Sequence, residues 1–236
     1  MSRAAPFSFI FFLYTFYMSE IEIIPSINAE TFTEVKKKIE AVEPYVSWVH
    51  IDVADGSFTD IQLWHNPEDL LALQTPLLVE VHLMIADIDE RIGEWLRPIV
   101  RRVIFHREAS RDPDVVIRAC RSSDVRVGMA VLPNSSADVV LPYLSKIDLV
   151  QTLAVTPGRS GQSFQPDTLQ KITALHNACP SCAIEVDGGV NTTTVASIVQ
   201  SGASLLVAGS AIFSPSDREH IDIKSAIEDL RRHATA

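Results

Sequence analysis

Cysteine is scarce in this 236-residue chain, which carries only Cys120, Cys179 and Cys182. Three thiols cannot all pair within one chain, and so small a supply argues against a disulfide-built scaffold and for a reducing, cytoplasmic setting. Cys179-Pro180-Ser181-Cys182 has the spacing of a redox or half-zinc motif. No second pair follows it, and it precedes an expected strand instead of opening a helix, so it reads as an incidental loop pair. Positive charge is also short: 20 Lys and Arg stand against 30 Asp and Glu, a net charge of −10 that argues against a nucleic-acid surface. The one basic run, Lys36-Lys37-Lys38, reads as the solvated face of a helix.

Other absences narrow the field further. No Pro/Gly/Ser-rich tract divides the chain, no GxGxxG follows the first expected strand, and no lysine ends a candidate strand as a Schiff-base aldolase would require. The apolar stretch Phe7–Tyr17, with Arg3 before it, is too short to span a bilayer as a helix and lacks a small-x-small cleavage site after it. Residues 1–17 therefore read as an upstream extension, Met18 as a natural chain start, and 18–236 as the folded domain. A membrane-associating tail is the alternative for that extension. No membrane partner is expected of the domain itself.

What the chain does have is 47% hydrophobic content and a regular alternation of short β-branched runs with helix-period segments. Strands are expected near 21–25, 46–53, 77–83, 101–106, 125–131, 147–153, 182–187 and 204–208. Helical segments are expected at 30–43, 66–73, 87–97, 112–122, 136–143, 166–177, 191–201 and 220–233. About eight of each implies an α/β fold with a parallel sheet closed as a single (β/α)₈ barrel. Asn66-Pro67 and Gln165-Pro166 place proline near helix starts, Asn191-Thr192-Thr193-Thr194 offers a capping side chain before Val195, and Gly202 suits a helix stop.

Three of the expected strands carry polar side chains on one face. Because strand residues alternate sides, His50 and Asp52 share a face in Val49-His50-Ile51-Asp52-Val53-Ala54-Asp55-Gly56, Glu80 and His82 share one in the third strand, and Glu185 and Asp187 share one in the seventh. A single buried His or Asp is more often a hydrogen-bonded core residue than a ligand. Three strands that agree at their C-terminal ends, where reactive groups collect in such a barrel, point at one central spot.

These residues resemble a known family. Ile24-Pro25-Ser26, the run at 50–56, Val81-His82-Leu83-Met84, Pro157-Gly158 with Gly161-Gln162, Val186-Asp187-Gly188-Gly189-Val190 and Ala208-Gly209-Ser210-Ala211-Ile212-Phe213 are similar, in order and spacing, to the ribulose-phosphate 3-epimerases over about residues 21–213. The resemblance implies a TIM barrel of the ribulose-phosphate-binding type that interconverts D-ribulose 5-phosphate and D-xylulose 5-phosphate in the pentose phosphate route. It maps one divalent metal ion to His50, Asp52, His82 and Asp187, and makes Asp52 and Asp187 the two proton-transferring groups. Two imidazoles and two carboxylates suit Zn²⁺, Mn²⁺, Fe²⁺ or Co²⁺ better than Ca²⁺.

By the same resemblance, His82 and Ser26 contact substrate, although Ser26 reads equally as a loop cap. The phosphate of a phosphorylated ketose would lie against Gly188, Gly189, Gly209 and Ser210, with Gly158 and Gly161 in a sixth loop that acts as a lid. A homo-oligomer is expected. Departures from the family pattern fall on the pocket wall: Ala54 and Leu153 stand where methionines are usual, Arg159-Ser160 replaces Phe-Gly in the lid, and Phe58-Thr59-Asp60-Ile61 replaces FVPN. Ala54 therefore either marks a repacked pentulose-phosphate pocket or opens room for another sugar such as a hexulose phosphate. Arg159 would grip the phosphate or stand in solvent. A sugar-phosphate-binding protein without turnover is a further reading. His106 is expected in a pocket-wall or hydrogen-bonding role, and His65 is assigned none.

Overall fold

The computed structural model describes residues 21–158, 161–213 and 222–235. The proposed extension over 1–17 and the lid residues Arg159 and Ser160 lie outside them. Strands β1 (Glu22–Ile27), β2 (Trp48–Ala54), β3 (Leu78–Met84), β4 (Val100–His106), β5 (Arg126–Val131), β6 (Leu149–Leu153), β7 (Ala183–Asp187) and β8 (Leu205–Ala208) run in that order around a closed barrel. Each pairs in parallel with its neighbours, and β8 returns to β1 through Glu22–Leu205 to Pro25–Ala208. The expected (β/α)₈ barrel is the fold.

The helices α1 (Phe32–Val42), α2 (Ile88–Trp95), α3 (Pro113–Ser122), α4 (Thr168–Ala178), α5 (Val195–Gln200) and α6 (Ile223–Ala234) cover its outside. Local chemistry sets their starts. Thr31 and Glu34 close a reciprocal capping box on α1, Asp112 accepts from Asp114 N ahead of Pro113 in α3, and Asp222 accepts from Lys224 N in α6. Two expected helices shrink to 3₁₀ turns, at Pro67–Ala72 and at Ala137–Val139 with Leu141–Tyr143. The first buries only Leu70. In the second, Pro142 has no N–H to continue an α-helical ladder. The N-cap of α5 falls on Thr194, within the expected run but without a side-chain cap bond, and Asn191 Oδ1 accepts from Thr193 N at 2.8 Å to close the turn before it.

Outward-facing strand residues such as Val49, Ile51, Val53, Val81 and Phe105 are fully buried and join Val35, Ile39, Ile92 and Trp95 of the helices in one large core. Each such side chain is worth about 1.5–3 kcal/mol of transfer free energy. The inward-facing positions are different in kind. Three apolar patches, one of Ile104, Ala130, Leu149 and Leu153, one of Ile24, Trp48 and Val207, and one of Ala54, Leu63 and Met84, leave the rest of the interior to polar groups.

Two cysteines depart from expectation. Cys182 N donates to Cys179 O at 3.0 Å, and this turn brings the two Cα atoms to 5.4 Å, where a disulfide joins the side chains. The pair is therefore covalently linked and not an incidental one. Cys120 is free and buried, and burial pushes its thiol up to about 12.

Candidate active site

Strand register places the polar interior in two levels. Glu80 lies beside Arg102 and Gln151 beside Glu185 in the lower one, while Asp52 lies beside His82 and Leu153 beside Asp187 in the upper one, towards the C-terminal mouth. Since Asp52 follows His50 by two residues, both point inward, and His50 sits one step lower and bridges the levels. Ser26 of β1 is in register with His50.

In the upper level, His50 Nε2 lies 3.3 Å and His82 Nδ1 lies 3.1 Å from the same oxygen, Asp52 Oδ1. Asp187 Oδ2 lies 3.6 Å from His82 Nδ1. One ligand atom from each of these four residues falls within 4.8 Å of all the others. The four predicted metal ligands thus converge, and Ser26 Oγ donates to Asp52 Oδ2 at 2.8 Å, holding that carboxylate from below. Ser26 is therefore more than a loop cap.

These residues fit a cation on the behaviour of the protein's own atoms. His50 Nε2 is buried without a hydrogen-bond partner. Burial alone would strip the His50 proton, yet the carboxylates of Asp52 and Glu80 hold its pKa well above the ordinary value. Asp52 is likewise opposed by burial but pulled well below the carboxylate range by His50 and His82. Burial, then the Asp52 charge, pushes Asp187 up to about 7. His82 is shifted down, by burial first. Such a cluster has more carboxylate and lone-pair capacity than its own protons satisfy, and a borderline divalent ion matches two imidazoles and two carboxylates.

The carboxylates of the lower level are paired within the protein instead. His50 Nδ1 donates to Glu80 Oε1 at 2.6 Å, Arg102 Nε donates to Glu80 Oε2 at 2.6 Å, and Gln151 Nε2 donates to Glu185 Oε1 at 2.9 Å. Arg102 also reaches Glu185 Oε2 at 3.4 Å and packs its guanidinium 4.2 Å from the centre of the Trp48 ring. His50, Glu80 and Glu185 would by residue type also make a metal cluster. The Arg102 guanidinium already fills that role.

Beside the upper level, His82 Nε2 meets His106 Nε2 at 2.9 Å, and His106 Nδ1 faces Glu108 Oε2 at 3.7 Å. Phe58 stacks on His106 with ring centres 4.6 Å apart. His106 thus has the hydrogen-bonding place expected of it. His65, given no role, contacts the Leu63 carbonyl through Nδ1 at 2.6 Å.

A cavity opens above the four converging side chains. Ser26, Asp52, His82 and Asp187 line it, as do Gly158, Gly161, Gly188, Gly189, Gly209 and Ser210. Every predicted substrate contact therefore reaches the same space. Gly188 and Gly189 have φ of 103° and 68°, and a Cβ on them would come within 2.4 Å of Val155 and 2.6 Å of the Phe164 backbone, so no other residue fits this turn. Asn28 Nδ2 donates to Gly158 O at 3.0 Å, tying the first loop to the sixth. Ala54 does not open the cavity: it is buried among Leu63, Met84, Phe58 and Ile61, and Met84 of the adjacent strand lines the wall.

Sequence reasoning put Glu80 and Glu185 on the faces of His82 and Asp187 without giving them a role, and it did not single out Arg102 or Gln151. Charged residues inside the apolar runs of β3, β4 and β7 were the available signal, since an unpaired buried charge is too costly to leave alone. Lys38 is a correction. Only Lys36 and Lys37 of the basic run are exposed; Lys38 is partly buried and donates to Asn28 O at 2.6 Å.

Known proteins bear on this geometry. A Schizosaccharomyces pombe protein named ribulose-phosphate 3-epimerase is 31% identical over 86% of this chain and 92% of its own length. One of that name from Mycobacterium bovis is 32% identical over 91% of this chain and 93% of its own. Among solved structures, 3-hexulose-6-phosphate synthase from Salmonella typhimurium covers 91% of this chain and 99% of its own with a TM-score of 0.70 at 15% identity, a likeness of fold. Residues 22–213 match the ribulose-phosphate 3 epimerase family as a whole, and the chain belongs to that family.

Proposed function

We propose that this protein is a metal-dependent epimerase interconverting D-ribulose 5-phosphate and D-xylulose 5-phosphate, with His50, Asp52, His82 and Asp187 holding one divalent ion of the Zn, Mn, Fe or Co type. The observation that carries the reading is the convergence of these four side chains from β2, β3 and β7, three of which, Asp52, His82 and Asp187, line one cavity. Bound there, the ion supplies Lewis-acid stabilisation of the negative charge that develops on the ketose oxygens.

The remaining chemistry falls to the chain. One carboxylate, Asp52 or Asp187, takes the proton from C3, and the other delivers a proton to the opposite face, so the carbon inverts and the proton count is unchanged. Ser26 orients Asp52 for this exchange. Glu80, by accepting from His50 Nδ1, turns Nε2 towards the site. For His82 to offer Nδ1, its Nε2–H must donate to His106, which then carries its own proton on Nδ1 facing Glu108. Backbone N–H groups at Gly188, Gly189, Gly209 and Ser210 suit the phosphate dianion.

Ala54, packed away from the cavity, favours the pentulose over a hexulose phosphate. The same reading makes the protein a cytoplasmic homo-oligomer. Its acidic composition agrees with a metabolic enzyme, and no helix among the described residues is long and apolar enough to cross a membrane.

A coupled epimerase assay with both pentulose and hexulose phosphates, together with elemental analysis, tests the proposal. The expected result is pentulose-phosphate turnover with deuterium from solvent appearing at C3, one divalent ion per chain, and loss of turnover on chelation. Phosphate binding with no deuterium incorporation would instead identify a non-catalytic sugar-phosphate binder.

A further inference from the structure

Next to the central cavity lies a second chamber of about 220 Å³. The two share Ser26, Asn28, Gly161, Gly209 and Ser210 as walls, so they form one continuous mouth. The second chamber adds Lys38 and Phe213. Its lining contains no carboxylate, whereas Asp52 and Asp187 line the central cavity. The central cavity is therefore acidic and the second chamber cationic on its Lys38 wall, while Glu30, Glu34 and Asp60 line the adjoining groove that Lys38 also borders.

Lys38 is fixed in place there. It sits on α1, and its Nζ donates to Asn28 O at 2.6 Å and stands 5.4 Å from the centre of the Phe213 ring. An ammonium has three N–H donors. One is spent on Asn28, and the aromatic face confines the group without offering an acceptor as strong as an anion. What the Lys38 end of the mouth offers is a partly desolvated cation beside the backbone of Gly209 and Ser210.

We propose that Lys38 is a specificity-determining residue whose ammonium binds the phosphate of the ketose phosphate from the α1 side, opposite the acidic end of the mouth. The inference rests on the reading of the site as one for a phosphorylated ketose. It assigns the charge that backbone N–H groups lack: amides orient a dianion, and Lys38 selects for it over an uncharged sugar. Asn28 joins the two parts, because its carbonyl holds Lys38 while its side chain holds Gly158 of the lid.

The test uses the metal-loaded full chain and the K38M and K38R variants. Lys38→Met is expected to raise KM for D-ribulose 5-phosphate roughly 10-fold or more, the effect of losing one charge-assisted hydrogen bond, with kcat within about two-fold. Lys38→Arg should restore most of the loss. Affinity for inorganic phosphate, measured by calorimetry, should fall in parallel, and the salt dependence of KM should flatten in K38M. A merely structural role would move thermal stability without changing that salt dependence. Wild-type turnover together with an unchanged KM and phosphate affinity in K38M would overturn the role of Lys38 and leave the proposed function standing. Absence of ketose-phosphate turnover in wild type, with phosphate binding still dependent on Lys38, would overturn the proposed function and leave the anion site standing.

Discussion

The upper and lower levels of the barrel interior are both built around a pair of buried carboxylates beside imidazole, and they do opposite things. Below, Glu80 and Glu185 share Arg102, with Gln151 and His50 filling remaining lone pairs. Above, Asp52 and Asp187 face two imidazoles and a cavity, with no Lys or Arg among the four converging groups. Burial raises the cost of charge at both levels. Where a guanidinium answers that cost the cluster is a support, and where none does it could hold an incoming cation, as proposed for the upper level. Glu185 shows the limit of the lower pairing, since burial and the nearby Glu80 push it up to about 8 despite Arg102.

The largest test of this contrast is Asp187→Asn. Losing one of the two carboxyls proposed to transfer protons should cut kcat roughly 10²–10⁴-fold. In metal-free protein the same change relieves repulsion from Asp52, so the melting temperature should hold or rise. A variant that kept full activity would place the second proton transfer elsewhere.

Arg102→Met attacks the other level. It strands Glu80 and Glu185 without their cation in the interior, and denaturant unfolding should show a loss of about 3–5 kcal/mol, typical of breaking a buried pair from one side. If stability barely changes, the lower level is not held by its charges and the comparison fails.

A pH titration sharpens the boundary between support and site. Burial would raise the Glu108 pKa, but the His106 ring, the Ser135 hydroxyl and Leu132 N hold it down at about 2. A group whose folded pKa lies below its unfolded one stabilises the fold above the unfolded value. That contribution is present above about pH 4.5 and is lost as pH falls towards 2. Glu108→Gln should therefore show a shallower loss of stability across this window than wild type, and an unaltered slope would remove Glu108 from the account.

The smallest effect is expected from Asn28→Ala. One partly buried hydrogen bond between the first loop and Gly158 contributes about 0.5–1.5 kcal/mol, so KM should rise a few-fold and amide exchange in the sixth loop should quicken. The Lys38 contact uses the backbone carbonyl and survives this substitution. N28A should thus leave the salt dependence of KM intact, unlike K38M.

Periodicity alone, through alternating β-branched and helix-period runs, determined the closed parallel barrel and nearly every strand within a few residues, because parallel strands buried on both faces and amphipathic helices write their spacing into the chain. The alternation of side chains on β2, β3 and β7 likewise determined that His50, Asp52, His82 and Asp187 face inward. Tertiary structure decided the rest. Whether a carboxylate is a support or a site depends on which side chain arrives from a distant strand, as Arg102 does for Glu80 and Glu185, and no local pattern encodes that arrival. For the same reason the sequence misplaced Lys38 on a solvated face: its inward turn is set by Asn28 and Phe213, which only the closed barrel brings together. The disulfide between Cys179 and Cys182 is a third case, made by a backbone turn that spacing permits but does not require.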